Sequence, residues 1–408
     1  VKIAIIGAGP AGMMAAVSAA QAGAQALLLE KNNKLGKKLY ITGKGRCNLT
    51  NDVSPQEFLK NVVSNPKFLY SAINRFTPQD TVNFFEQNGC PLKVERGGRV
   101  FPLSDHSSDI IKTFEKALNK HGVEVKLNCQ VIDISKSGDS FEIVCSDGNK
   151  IISDCVIIAC GGKSYPATGS TGDGYFLAKK FGHTIIDAVP GLVSISVKED
   201  VSSLQGLSLK NVSLSAEYQE KVVSELFGEM LFTQNGVSGP IVLSTSSKIN
   251  RLPLDKVKLY IDFKPALDVN KLDERILRDF SKYQNKLFKN ALDDLLPKSL
   301  IPEIIKRSGI DENQRVNIIT KNQRQNLINA LKRFELNVAS LDGFERAIIT
   351  CGGVDTKEIN PSRLESKLVK GLYFAGEVID VDAYTGGYNI QIAISTGYLA
   401  GVSAARGL

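Results

Sequence analysis

The chain has little of what several common chemistries require. Its 408 residues include three histidines and seven cysteines. Cys47, Cys90, Cys129, Cys145, Cys155, Cys160 and Cys351 form no C-x-x-C pair. That set argues against a structural zinc site and against a dithiol reductase, and reads as reduced thiols in a cytoplasmic protein. No apolar run reaches the roughly 18–20 residues of a membrane span. The apolar start lacks the basic segment of a signal peptide. The G-x-x-x-x-G-K-[ST] spacing of a phosphate-binding P-loop is missing. Apolar residues make up 43% and charged residues 23%, as in an ordinary globular protein.

Charge is uneven along the chain. Between Lys248 and Glu335 basic residues outnumber acidic ones 19 to 12, which accounts for the whole formal charge of +7. An acidic partner such as RNA would bind such a segment. It holds no nucleic-acid motif and few aromatics, so a solvated helical face is the favoured reading and nucleic acid is not the expected partner.

What the chain does have begins at residue 2. Lys2 to Ile6 is an apolar, largely β-branched run. Gly7, Gly9 and Gly12 then spell G-x-G-x-x-G within GAGPAG, which also holds Pro10 and Ala11. An Ala-rich helical stretch follows, and a second apolar run, Ala26 to Leu29, ends in Glu30. Strand, glycines, helix, strand and acid in one short unit are the fingerprint of a dinucleotide site. Gly7 allows the turn, Gly9 admits the pyrophosphate, and Gly12 lets the helix pack on the sheet. The helix N-terminus faces the phosphates, and Glu30 is placed for a ribose hydroxyl.

Lys31, Lys34, Lys37, Lys38, Lys44 and Arg46 follow, with Gly36, Gly43 and Gly45 among them. A cationic, glycine-rich loop beside a nucleotide site suits phosphate. Cys47 sits behind Arg46 as a candidate redox thiol. Helices are expected from Ser54 to Asn88 and from Ser107 to His121, and strands from Glu124 to Cys160. The run CVIIACGG ends on Gly161 and Gly162 as a buried strand. The next loop, with Lys163, Ser164 and Tyr165, reads as a substrate-facing nest or as a plain connector.

Short strand-like runs from Pro190 suggest a small antiparallel sheet or barrel. Residues 268–336 read as helices, including one from Asn290 to Pro297. The apolar pattern then returns in RAIITCGGV, with Cys351, and in GLYFAGEVIDVDAYTGGYN. Here Gly376 and Glu377 end a strand, Asp380 and Asp382 follow, and a long helix starts near Gly387. Both chain ends therefore build one domain. The expected division is 1–189 with 346–408 as the cofactor domain, 190–267 with 337–345 as an inserted β-domain, and 268–336 as a helical insert.

These stretches, with KNNKLGKKLYITGKGRCNLTN and ACGGKSYPATGSTGDGY, resemble the BaiN/YhiN-like flavoproteins, often called aminoacetone-oxidase-family FAD-binding enzymes. Lys44 stands where that family usually has a small residue. The resemblance implies an α/β fold with a discontinuous, Rossmann-like, two-dinucleotide-type FAD domain, an inserted β-domain and a helical domain. It implies FAD contacts at Ala11, Glu30, Lys37, Lys38, Asn48, Val131, Gly376, Glu377, Asn389 and Ile390. It further implies an FAD-dependent oxidoreductase, either an oxidase of an aminoketone or a reductase of a conjugated enone.

One fingerprint and no second make NAD(P)H at most a transient co-substrate. Cofactor contacts are also expected at Lys31, Gly45, Arg46, Gly161, Asp380 and Gly387. Catalytic candidates are Arg46 and Lys163 to hold a substrate carbonyl, Tyr165 to donate a proton, and Cys351. Of the histidines, His106 is less ordinary than His121 or His183. No metal is expected. The partner is a small molecule, with the chain a monomer or homodimer. An FAD-dependent RNA-modifying enzyme and a non-catalytic FAD-binding protein are the alternatives.

Overall fold

A computed structural model describes residues 1–407. Backbone contacts divide the chain into two compact units, one of Val1–Gly191 with the segment from Gly343 onward, the other of Leu192–Asp342.

The first unit is built on a parallel sheet. Its strands are β1 (Lys2–Ile6), β2 (Gln25–Leu29), β3 (Glu124–Lys126), β4 (Cys155–Ile158) and β5 (Leu372–Phe374). They lie in the order β5-β4-β1-β2-β3, every neighbouring pair parallel. β1 and β4 are nearly continuous apolar runs because both faces of such a sheet are covered. Helix α1 (Pro10–Gln21) crosses from β1 to β2.

Helix α2 (Tyr388–Arg406) packs along α1 through small residues. A Cβ on Gly397 would collide with the Ala11 carbonyl, and one on Gly401 with the Ala15 carbonyl and the Ser18 hydroxyl. Antiparallel strands 131–137, 140–145 and 150–153 form a separate sheet, and 185–191 pairs with 349–354.

The second unit is a closed six-stranded barrel with helices. Its long hairpin, Ser208–Tyr218 with Lys221–Thr233, turns at Gln219 and Glu220. Both have positive φ, 51° and 60°, as a two-residue hairpin turn of matching twist requires. Helices Val269–Lys282, Ile301–Ser308 and Lys321–Lys332 share one hydrophobic core with the barrel through Leu272, Ile276, Ile304, Leu327 and Leu331. The 268–336 segment is thus part of the barrel unit rather than a body of its own. The helix expected at Asn290–Pro297 is instead a series of turns, with only a short 3-10 turn at Phe288–Asn290. Among the described residues no helix is long and apolar enough to cross a membrane.

Candidate functional site

The carboxyl ends of β1 and β4 form a cradle, and each fingerprint glycine has a separate reason to be there. Gly7 has φ +101°, and a Cβ on it would stand 2.6 Å from the Ala159 carbonyl oxygen. A Cβ on Gly12 would stand 1.8 Å from the Gly7 carbonyl oxygen, so only glycine lets α1 sit this close to β1. Gly9 differs, because a Cβ there would meet nothing within 4 Å. It faces open space, as close approach of a ligand demands.

Gly9 caps α1 without a side-chain hydrogen bond, Pro10 fills the first turn, and no acid stands there. The Ala11 and Gly12 N–H groups and the positive helix end are left for an anion.

Glu30 is buried at the end of β2. Its Oε2 accepts the Ala8 N–H at 2.8 Å, and its Oε1 accepts the Asn32 N–H at 2.8 Å and Asn32 Nδ2 at 2.7 Å. A carboxylate has about four acceptor positions. One therefore remains on Oε2 for a hydroxyl.

Next to this cradle four distant stretches meet. Lys38 Nζ donates to Glu377 Oε2 at 2.9 Å and to Ser164 Oγ. Ser164 Oγ donates to Glu377 Oε1 at 2.9 Å, and the Thr350 N–H donates to the same oxygen at 2.6 Å. Thr350 Oγ1 accepts the N–H groups of Lys163 at 2.8 Å and Ser164 at 3.0 Å. Ser164 is fully buried. A Cβ on Gly162 would collide with the Thr350 side chain, which explains the second glycine of the CGG run. Gly376, φ +77°, rests against Ala11 at the start of α1.

Other basic residues of this loop have partners outside that network. Lys31 Nζ pairs with Asp173 at 2.7 Å and donates to Thr171 Oγ1. Lys37 Nζ donates to Asn32 Oδ1 at 3.4 Å. Arg46 lies 4.1 Å over the Phe101 ring and pairs with Glu95 and, at 2.6 Å, with Asp105. Arg46 holds the Glu95 carboxyl below its usual range, while Lys93 and then Arg46 do so for Asp105. Its guanidinium is thus engaged by two acids and a ring. Gly43, Lys44 and Gly45 are all left-handed, with φ of 56°, 58° and 85°. Lys44 therefore keeps a turn that a small residue would adopt more readily.

At the start of α2, Asn48 satisfies the loop. With its amide oriented to suit its neighbours, the oxygen accepts the Gly387 N–H at 3.1 Å and the nitrogen donates to Thr50 O. Asn389 Oδ1 accepts the Ala383 N–H at 2.9 Å, and Nδ2 donates back to Ala383 O at 2.8 Å. Asp380 accepts from Asn65 Nδ2 through its carbonyl and carboxylate. Ile390 is half-buried on the core, and Val131 is buried opposite Cys145.

Lys163 has an exposed side chain, and Gly161 has φ +73°. Tyr165 is half-buried with φ 54°, its N–H donating to Phe344 O. Cys351 is buried inside strand 349–354 against Gly191. Burial pushes the Cys47 thiol up to about 12, unsuited to a thiolate role. His106 precedes helix Ser107–Lys120, and His121 touches Gln21. His183 is buried between Ser366 and Glu358. Asn32 and Thr350 were not anticipated. Asn32 stands two residues beyond Glu30 and was legible there, whereas Thr350 carries no local signal.

The HI0933-like protein Rossmann domain matches residues 1–403. The chain belongs to the HI0933-like family. These are the BaiN/YhiN-type flavoproteins, so the protein is a flavoprotein oxidoreductase with a Rossmann nucleotide-binding domain, and FAD is the cofactor of its family. It is 34% identical over 409 residues to a 3-dehydro-bile acid delta(4,6)-reductase of Clostridium scindens, covering 99% of each chain. It is 31% identical over 406 residues to a ribosomal RNA dihydrouridine synthase of Haemophilus influenzae, covering 98% of each. A 3-ketosteroid delta1-dehydrogenase from Sterolibacterium denitrificans shares the fold, with a TM-score of 0.53 at 13% identity over 100% of this chain and 99% of that one.

Proposed function

We propose that this HI0933-like protein is an FAD-dependent reductase that adds hydrogen across a carbon–carbon double bond conjugated to a carbonyl, in a small organic substrate. NAD(P)H docks transiently as electron source. The carrying observation is the complete dinucleotide cradle in a chain matched end to end by a relative named as a delta(4,6)-reductase. That name denotes ring double bonds conjugated with a 3-oxo group. A single fingerprint leaves NAD(P)H no cradle of its own.

The chain's residues fit the cofactor. Ala11 and Gly12 would hold the pyrophosphate with their N–H groups, beside Gly9 and Pro10. Glu30 would take a ribose hydroxyl on its remaining acceptor position. Lys37, Lys38 and Glu377 would line the middle of the cradle. Asn48, Gly387, Asn389 and Ile390 would fix the loop at the other end. Bound there and reduced by NAD(P)H, FAD would supply the hydride that the β-carbon of the unsaturated carbonyl accepts.

Lys163 Nζ would hold the substrate carbonyl, its backbone fixed by Thr350, and the Tyr165 hydroxyl would give the α-carbon its proton. Arg46 and Cys351 are structural in this reading, since their side chains are taken up by partners and packing. The test is anaerobic mixing with NADPH. The flavin absorbance bleaches, and an added enone restores it. Bleaching by an aminoketone alone, with no response to NADPH, would place the protein among the oxidases instead.

A second reading places the double bond in a uracil ring of RNA, which is also conjugated to a carbonyl. It is supported by the Haemophilus relative's name and by the basic excess in 248–335. Most acids of that segment are already ion-paired, for example Asp273 to Arg324 and Asp294 to Lys282. Ribosomal RNA fragments would then bind tightly and lose affinity steeply with salt. A weak, salt-independent titration would sink this reading and leave the first.

A further inference from the structure

Two thiols stand in contact beside the cofactor cradle. Cys129 stands just before, and Cys145 ends, the hairpin of strands 131–137 and 140–145, so both lie at its open end, with their Sγ atoms 2.9 Å apart. Strand register brings them together, because Val131 pairs with Cys145 and so delivers Cys129 to the same edge. Cys145 is fully buried, whereas Cys129 is 9% exposed and is the one that solvent reaches.

Their backbone surroundings lead to the cradle. The Cys129 N–H donates to the Glu30 carbonyl at 2.9 Å, and the Asn128 N–H to the Asn32 carbonyl at 3.0 Å. Glu30 and Asn32 are the pair that presents the acidic ribose ligand. A covalent change at Cys129 therefore acts one hydrogen bond away from Glu30.

We propose that Cys129 and Cys145 are a site of reversible intramolecular disulfide formation that locks the segment carrying Glu30. The effect on the cofactor rests on the reading of Glu30 as an FAD ligand; the disulfide does not. The oxidant is a hydroperoxide. Cys129 Sγ attacks one peroxide oxygen, the O–O bond breaks, and water leaves a sulfenic acid. Burial pushes the Cys145 thiol up to about 12, so it reacts only as its proton passes to the departing hydroxyl: Cys145 Sγ attacks the Cys129 sulfur, the S–O bond breaks, and a second water leaves. Two thiols lose two electrons and two protons, and one hydrogen peroxide becomes two waters. With the sulfurs bonded, residues 128–130 are tied to the hairpin and hold Glu30 and Asn32 more firmly.

The test uses the FAD-loaded full chain. It is treated with hydrogen peroxide under native conditions, alkylated after denaturation, and digested. The expected result is a linked peptide pair containing Cys129 and Cys145 and a loss of two alkylatable thiols per chain, both reversed by dithiothreitol. The oxidised protein releases FAD at least threefold more slowly, read as flavin fluorescence after dilution. Cys145→Ala abolishes the linked peptide and the slowing, and Cys129→Ser does the same should the first variant fold poorly. Thiol loss confined to other cysteines, or only intermolecular dimers, overturns the proposal. A linked peptide with unchanged FAD release overturns the lock. A chain that takes up no FAD before oxidant is added refutes the Glu30 reading alone, since the linked peptide is still read.

Discussion

Replacing Gly9 and Gly12 separately by alanine should damage two different properties. Gly9 has φ −76° and ψ −177°, a conformation open to any residue, and its added Cβ meets no protein atom within 4 Å. Alanine there restricts the unfolded chain and should stabilise the apoprotein by roughly 0.4–1 kcal/mol. The same methyl group occupies the space through which a phosphate reaches the first N–H groups of α1. Losing one charge-assisted hydrogen bond there is worth about 1.5–3 kcal/mol, or roughly a 10- to 150-fold weaker Kd.

Gly12 behaves in the opposite way. Its Cβ would fall 1.8 Å from the Gly7 carbonyl oxygen, so α1 must move off β1. Overpacking of this kind costs about 1–3 kcal/mol, and the apoprotein itself should melt earlier. Thermal melts of the apo variants and flavin-fluorescence titrations separate the two. A Gly9→Ala protein that binds FAD as tightly as the parent would refute the assignment of this helix end to the pyrophosphate. A Gly12→Ala protein with unchanged melting would refute the packing argument.

Glu377→Gln should destabilise the first unit by about 1.5–3 kcal/mol in urea titrations, because Lys38 loses its ion partner in a setting where both side chains are about one-fifth exposed. Lys44→Gly should stabilise by up to about 1 kcal/mol: the left-handed conformation costs a non-glycine residue roughly 1–2 kcal/mol, partly offset by glycine's greater chain entropy. An unchanged urea midpoint would count against strain at this turn. Burial holds the His183 pKa below its ordinary value despite the opposing Glu358. The unfolded chain then binds the extra proton first, so stability present above about pH 6.5 falls as pH drops below that value. A melting series from pH 7.5 to 5 should show this slope, and His183→Gln should flatten it.

The parts of the site legible in the sequence are those whose logic is local. Gly7, Gly9, Gly12 and Glu30 fall within one βαβ unit, and the steric reason for each glycine can be read from spacing. The Lys38–Ser164–Thr350–Glu377 network could not be assembled this way, because sheet order joins β5 to β4 and brings together segments far apart in sequence. Lys38 was legible only as one cation of a phosphate loop, and Glu377 as a cofactor contact only through family resemblance. Arg46 shows the converse. A basic residue in a glycine-rich loop reads as a phosphate ligand, while its ion pairs with Glu95 and Asp105, from a later hairpin and the turn after it, have no pattern linking them to the loop. The barrel was signalled by its alternating strands. The helices at 268–336 were seen, yet their membership of the barrel core was not, since an amphipathic face does not name the surface it will cover.

The close crossing of α1 on α2 has a consequence for the order of events during synthesis. Helix α1 is made long before α2, so Ala11, Ala15 and Ser18 have no covering partner until Gly397 and Gly401 emerge. Residues 192–342 are contiguous and carry their own core, so the barrel unit can fold while the cofactor unit still waits for α2. FAD capture therefore waits for the synthesis of α2, and a chaperone that shelters the bare face of α1 would act earlier than the cofactor can.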